Sequence, residues 1–150
     1  MDGAGGLSPD DKHLIAAGVE VGVAIDTKGD MSLQPIAPGM MRDYLGGHVE
    51  AVGVGSGIAF WFSAVGSWPM VNRMATLNLL AAGQYPPRAV PLLWGPVLIT
   101  GTADDGQPAG LTKAQLDAIA AGPAPSWFGR LVLTAREIQA QRRRAKAHRG

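Results

Sequence analysis

Gly95-Pro96-Val97-Leu98-Ile99-Thr100-Gly101 is the stretch of sequence that decides the fold. It is an apolar run of strand length, and the residues at both ends mark where regular structure stops. Apart from the hydroxyl of Thr100, it has no side chain that can carry chemistry. We therefore expect residues 94–100 to form the buried strand against which the other elements are held.

Two strands are predicted near the start of the chain. In residues 19–25, four aliphatic side chains alternate with other residues, which is typical of a half-buried strand. Asp26-Thr27-Lys28-Gly29-Asp30 has turn chemistry, and residues 31–36 can return as a second strand. Pro35 cannot donate to a strand ladder, so this second strand is expected at an edge of the sheet.

Two more strands are predicted around the turn Gly55-Ser56-Gly57. Residues 48–54 precede this turn and residues 58–65 follow it. The second segment carries Phe60-Trp61-Phe62, whose side chains point to both faces, so we expect a central strand that is covered on both sides. Residues 51–72 hold no formal charge, and a membrane span needs about 20 apolar residues. Because glycines and a proline would interrupt such a helix, two packed strands are favoured.

Three helices are expected to pack on the sheet, near residues 38–45, 73–82 and 113–121. Asn72 is a suitable N-cap for the second helix, and Gly83 is a suitable stop. Thr112-Lys113-Ala114-Gln115 fits a capping box at the start of the third. The predicted fold class is α+β, with a small, mainly antiparallel sheet in one domain that spans residues 13–122.

Composition excludes several classes of site. The chain of 150 residues has no cysteine and three histidines, which excludes disulfides, thiolate metal centres and a cysteine nucleophile. No metal site, cofactor or catalytic set is expected from the other residues. Residues 1–12 are glycine-rich and acidic and lack the features of a signal peptide. We interpret them as a flexible leader and expect the protein to be cytoplasmic.

Charge is divided unevenly along the chain. From Arg130 onwards there are seven basic residues and one acidic residue, whereas the rest of the chain carries six basic and eleven acidic residues. Residues 123–129 are predicted to be a linker. A capping box at Thr134-Ala135-Arg136-Glu137 predicts a basic C-terminal helix within residues 130–150. That helix has little apolar stripe, so it is expected to face solvent or to await a partner.

Three segments together resemble a known family. Tyr44-Leu45-Gly46-Gly47-His48-Val49-Glu50, then Asn72-Arg73-Met74-Ala75-Thr76, then the segment at 95–101, resemble the domain of unknown function 3846 family in type and order. The resemblance covers residues 19–120, and His48 stands where the family usually has an aromatic residue. It implies a protein of bacteriophages, plasmids or actinobacterial genomes. The family has no established activity, so the resemblance implies context and not mechanism.

A ligand site is predicted at the start of the second helix. A helix N-terminus offers free amide donors and the positive end of a dipole, both of which favour anions. Arg73, the Asn72 cap and Thr76 are candidates for binding a phosphate or carboxylate there. Glu50 is a candidate acceptor or general base at the same cleft. The alternatives are a plain cap with a solvated arginine, a solvent-facing Glu50, and a structural ion pair between Glu50 and Arg73.

The arginine-rich tail is the other candidate site. Its basic residues are Arg142, Arg143, Arg144, Lys146 and Arg149. Such clusters most often contact phosphates, and only His148 is nearby for stacking, which predicts sequence-indifferent nucleic-acid binding. The alternative is a solubilising tail that folds onto the acidic body.

The leading hypothesis from the sequence is a non-enzymatic accessory protein of phage or mobile-element type. It would bind a small anionic ligand or a protein partner. Nucleic-acid binding through the tail is the alternative, and catalysis with Glu50 as base has the least support. No membrane partner is expected, and a homo-oligomer stays open.

Overall fold

The computed structural model describes residues 18–64, 68–122 and 127–149. Within them an antiparallel sheet is combined with helices, so the predicted α+β class is confirmed. The strands are β1 (Val21–Ile25), β2 (Met31–Pro35), β3 (Val49–Val54), β4 (Ile58–Ser63), β5 (Val97–Thr102) and β6 (Pro108–Ala109). The helices are α1 (Met40–Leu45), α2 (Arg73–Gly83), α3 (Lys113–Ala121) and α4 (Trp127–Arg149). Within residues 18–64 and 68–122 every predicted strand and helix is present, and only the two-residue β6 was not expected.

Strand β5 lies in the middle of the sheet, whose order is β2-β1-β5-β4-β3, with β6 pairing to β5 as well. Its Ile99 is opposite Val23 of β1 and Phe60 of β4. Val97, Leu98 and Ile99 are each 0% exposed, which confirms the prediction of a buried strand at this segment. Strand β4 is also an interior strand, as predicted, because it pairs with β3 on one edge and with β5 on the other. β2, with its proline, is at an edge as predicted.

The two faces of the sheet enter two apolar clusters. Alternation along β5 sends Val97 and Ile99 into the main core, together with side chains of α2, α3 and α4. Leu98 lies on the other face, where it packs with Ala24 and with Leu45 of α1. The main core therefore lies between the sheet and three helices, and α1 covers part of the opposite face.

The signals at the helix ends are partly confirmed. The Thr112 hydroxyl accepts from the backbone N–H of Gln115, and the Gln115 side chain accepts from that of Thr112, so the capping box is formed. At the end of α2, Gly83 is the last helical residue, and Gln84 takes the left-handed conformation with φ 55°. A Cβ on Gly83 would lie 2.4 Å from the ring of Tyr85. The glycine is therefore required for packing and not for a left-handed cap.

The uncharged stretch at 51–72 forms strands β3 and β4 in its first half instead of one long helix. The two strands pair from Val49 opposite Ser63 to Val54 opposite Ile58. Among the residues that the structure describes, no helix is long and apolar enough to cross a membrane.

Helix α4 differs most from the prediction. It begins at Trp127, and the predicted capping box at Thr134 lies in its interior. The predicted linker is therefore helical at 127–129, while residues 123–126 and the predicted leader at 1–12 lie outside the described residues. Leu133 is only 1% exposed and belongs to the main core. The helix is thus docked on the domain and does not face solvent all round.

Candidate functional site

Asn72 is fully buried and connects three parts of the domain. Its side-chain amide donates to the carbonyl oxygen of Ile25 at 2.8 Å and to that of Gly95 at 2.9 Å. Its Oδ1 accepts from the backbone N–H of Ala75 at 3.1 Å, which caps α2 as predicted. Both amide hydrogens are used within the protein. Asn72 therefore has a structural role in place of the predicted ligand contact.

Thr76 is buried in the same region. Its hydroxyl donates to the carbonyl oxygen of Asn72 at 2.8 Å and accepts from the backbone N–H of Leu93 at 3.1 Å. Its exposed fraction is 0%. Both side chains are therefore closed to a ligand, and of the three residues predicted to bind an anion at the start of α2 only Arg73 is exposed to solvent. These polar groups instead hold the loop before β5 against the helix.

Arg73 contacts α4 and not Glu50. Its Nη1 donates to Oε2 of Glu137 at 3.0 Å, and the two side chains are 39% and 17% exposed. Glu50 is exposed on the edge strand β3, opposite Phe62. The alternative ion pair between Glu50 and Arg73 is therefore wrong, and the candidate residues do not line one cleft. The other alternative, a solvent-facing Glu50, is confirmed.

Polar side chains attach the middle of α4 to the domain. Arg136 donates to the carbonyl oxygen of Pro87 at 2.8 Å, and the Gln141 side chain accepts from the backbone N–H of Val71 at 2.9 Å. Glu137, which pairs with Arg73, lies between them along the helix. Glu137 and Gln141 are four residues apart, which places them on one helix face, and Arg136 borders that face. Helix α4 therefore has little apolar stripe because polar side chains make several of its contacts with the domain.

Arg144 also attaches α4 to the domain. Its guanidinium carbon lies 3.6 Å from the centroid of the Trp94 ring, and its Nη1 donates to the carbonyl oxygen of Trp68 at 2.6 Å. A guanidinium over an indole face is a favourable cation–π arrangement. One of its N–H donors and one face of its guanidinium are thus engaged within the protein, so Arg144 has fewer donors left for an outside phosphate than the exposed basic residues have.

Several other basic residues of α4 are exposed to solvent. Those with exposed side chains are Arg130, Arg142, Arg143 and Lys146. In the described part of the chain, none of them has a hydrogen-bond or ion-pair partner. Arg149 is the last residue of the helix, and its side chain lies outside what the structure describes. Three of the five predicted tail residues are thus placed on one exposed surface.

The exposed surface of α4 also carries large apolar residues that the sequence interpretation missed. Trp127 is 74% exposed, Phe128 56%, Leu131 57% and Ile138 45%. The two aromatic rings are 6.3 Å apart and meet at 87°. We call these four residues and the four exposed basic ones the outward face of α4. The adjacent aromatics Trp127 and Phe128 at the start of the basic part of the chain were the available signal, but they fell in the segment predicted to be a linker.

Elsewhere the described residues offer little for ligand chemistry. A shallow depression of about 260 Å³ lies between the start of β1 and α3, and its charged side chains Glu20 and Lys113 are both exposed. Asp105 accepts from the backbone N–H of Gln107 at 3.0 Å, so the acidic pair at 104–105 forms a turn. In residues 18–64, 68–122 and 127–149 there is no cluster of three metal-type ligands.

One side chain has a perturbed acidity. Burial raises the pKa of the Tyr44 hydroxyl above its ordinary value, and the nearby Asp26 carboxylate adds to the increase. Tyr44 packs with Leu45 and Leu98 on the face of the sheet that α1 covers. The shift therefore reflects packing of α1 and not a reactive site.

No protein-family model, curated protein or solved structure matches the chain. The resemblance to the domain of unknown function 3846 family therefore stays a prediction.

Proposed function

We propose that this protein is a non-enzymatic binding module that holds nucleic acid by its phosphate backbone, without regard to base sequence. The observation that carries the proposal is the set of four exposed basic side chains on α4, which have no partner in the described part of the chain. Guanidinium and ammonium groups donate to phosphate oxygens, and such contacts supply affinity that does not depend on sequence.

The way α4 is docked supports this proposal over a solubilising tail. A solubilising tail needs no fixed position, whereas α4 is held by Leu133 in the core and by Arg144 against Trp94. The ion pair between α4 and the domain joins the acid of the tail, Glu137, to a basic residue of the body, Arg73. The acidic body therefore leaves the exposed basic charges of α4 available to an outside anion.

The dimensions of the outward face fit an extended polyanion. Lys146 is sixteen positions after Arg130, which is about 24 Å along a helix axis. Duplex DNA carries one phosphate charge per about 1.7 Å of its axis. Several phosphates can therefore lie within reach of the four basic side chains, whereas a small ligand would contact only one end of the row.

The phage context remains part of the proposal. If the resemblance holds, the protein is an accessory factor of a phage or mobile element, acting in the cytoplasm of the host. The small anionic ligand expected from the sequence is not retained, because Asn72 and Thr76 are buried. A protein partner is an alternative occupant of the same outward face.

Point variants are the appropriate test, since removing the tail would also remove Leu133 from the core. The test variant replaces Arg142, Arg143 and Lys146 by glutamine. A control variant with the same change in charge replaces three exposed basic residues outside α4, which are Lys28, Arg88 and Lys113. Binding is measured by fluorescence anisotropy on a labelled duplex while the salt concentration is varied.

For four phosphate contacts, the plot of log K against log salt has an expected slope of about −3.6. The test variant should reduce the slope to about −1, and the control variant should leave it close to the wild-type value. Salt-insensitive binding, or equal affinities for the two variants, would overturn the proposal.

A further inference from the structure

We infer that the outward face of α4 selects single-stranded over double-stranded nucleic acid by stacking bases on Trp127 and Phe128. The inference rests on the proposed function and adds the class of nucleic acid. It is drawn from the two aromatic rings, which phosphate binding alone leaves without a role.

The two rings are open to solvent. Trp127 is 74% exposed and Phe128 is 56% exposed, although burying side chains of this size is strongly favourable in water. Their rings meet at 87°, so they do not stack face to face on each other. In this edge-to-face arrangement the edge of one ring lies against one face of the other, and the remaining ring surface is open to a flat partner such as a base.

A basic side chain lies beside the rings. Arg130 is exposed and follows Trp127 by three residues, which places the two side chains on neighbouring positions of the helix surface. An aromatic platform with a cation beside it is the usual combination in proteins that bind single strands, where the cation meets the phosphate next to the stacked base. Arg142, Arg143 and Lys146 form a second group of cations, which begins twelve positions, or about 18 Å, further along the helix.

The rings should discriminate between the two forms of nucleic acid. In a duplex the base faces are stacked on one another, and a protein ring can reach them only after a base is unstacked, which is costly. In a single strand the base faces are free. Stacking therefore adds affinity only for the single strand, while the phosphate contacts serve both forms.

The experiment compares a labelled single strand with a duplex of the same length, using anisotropy at fixed salt. The test variant is Trp127→Ala combined with Phe128→Ala. Its control is Leu131→Ala combined with Ile138→Ala, because these two residues are also large, apolar and exposed on the outward face but cannot stack. Quenching of tryptophan fluorescence by the single strand, and its loss in Trp127→Phe, gives a second measure of contact at Trp127.

We expect the wild-type protein to bind the single strand about tenfold more tightly than the duplex. The test variant should lose this preference and keep its duplex affinity, and the control variant should keep both. Equal affinity of the wild-type protein for the two forms would overturn the inference and leave the proposed function standing. Binding to neither form would overturn both.

Self-association is a further outcome to be distinguished. If Trp127 and Phe128 pack against a second copy of the chain, light scattering should show that the wild-type protein is a dimer and that the test variant is a monomer. If the test variant is a monomer but still prefers the single strand, the two rings form the dimer contact and the stacking role is refuted.

Discussion

Replacing Asn72 by alanine should destabilise this protein more than the loss of an ordinary helix cap. The side chain is fully buried and makes hydrogen bonds to Ile25, Gly95 and Ala75 at 2.8, 2.9 and 3.1 Å. One of these bonds caps α2. The other two tie the end of β1 to the segment that leads into β5, and alanine removes all three.

The expected loss of stability follows from these contacts. Loss of an N-cap costs about 1 kcal/mol. Two buried carbonyl oxygens also lose a donor, and at about 1 kcal/mol each, the low end for a buried polar group, they add about 2 kcal/mol. The free energy of unfolding should therefore fall by about 3 kcal/mol, a large share of the roughly 5–15 kcal/mol that a domain has in total.

Urea unfolding followed by tryptophan fluorescence gives the measurement. Thr112→Ala is the matched control, because Thr112 caps α3 through Gln115 but makes no bond to another part of the fold. It should cost about 1 kcal/mol. Asn72→Ser, which keeps a capping hydroxyl, should fall between the two variants. If Asn72→Ala loses no more stability than Thr112→Ala, the bonds to Ile25 and Gly95 contribute nothing and the reasoning is refuted.

Three further substitutions test other parts of the structure. Gly95→Ala should lower the free energy of unfolding by at least about 2 kcal/mol in urea titrations, because φ is 73° and a Cβ would lie 2.5 Å from the Trp68 ring. Tyr44→Phe should weaken the loss of stability at alkaline pH. A raised pKa in the folded state contributes stability below the ordinary pKa of about 10, and this contribution is lost as the pH rises through the raised value. Glu137→Gln, which breaks the partly exposed pair with Arg73, should cost at most about 1 kcal/mol and speed amide exchange in α4.

Each of these expectations has an outcome that contradicts it. Gly106→Ala is the control for the glycine, because its φ is 83° but nothing lies within 4 Å of the new Cβ. Equal losses at the two glycines would mean that the Trp68 contact is unimportant. Melting temperatures that fall equally with pH in the wild-type protein and Tyr44→Phe would refute the role of the phenol. Asp117→Asn breaks an exposed pair with Lys113, and an equal effect there and at Glu137 would show that docking of α4 does not depend on its ion pair.

Most elements of the fold could be predicted because their signals are local. Aliphatic residues at alternate positions indicate β1, turn residues separate β3 from β4, and a capping box indicates the start of α3. The order of the strands in the sheet cannot be predicted from local signals, because it depends on contacts between distant parts of the chain. Val23 and Ile99, which are opposite each other in β1 and β5, are separated by most of the domain. The aromatic run in β4 therefore predicted an interior strand correctly, but it could not specify which strands are its neighbours.

The candidate site was harder to predict for the same reason. Asn72 was recognised as a cap, but its bonds to β1 and to the β5 segment depend on the folded topology. Arg144 has the same charge as Arg143, and only the position of Trp94 assigns it to docking. A motif of four residues at Thr134 suggested a helix start in what is the middle of a helix, which moved Trp127 into a supposed linker.

Docking of α4 and binding of nucleic acid should respond differently to salt. The docking contacts are mainly bonds to carbonyl oxygens, a cation–π contact and one partly exposed ion pair. Phosphate binding releases counterions, so its affinity falls steeply with salt, whereas salt mainly screens exposed charges in the free protein. Raising the salt concentration should therefore weaken binding while amide exchange in α4 stays unchanged. If exchange in α4 quickens in step with the loss of affinity, detachment of the helix explains the salt effect, and the slope no longer counts phosphate contacts.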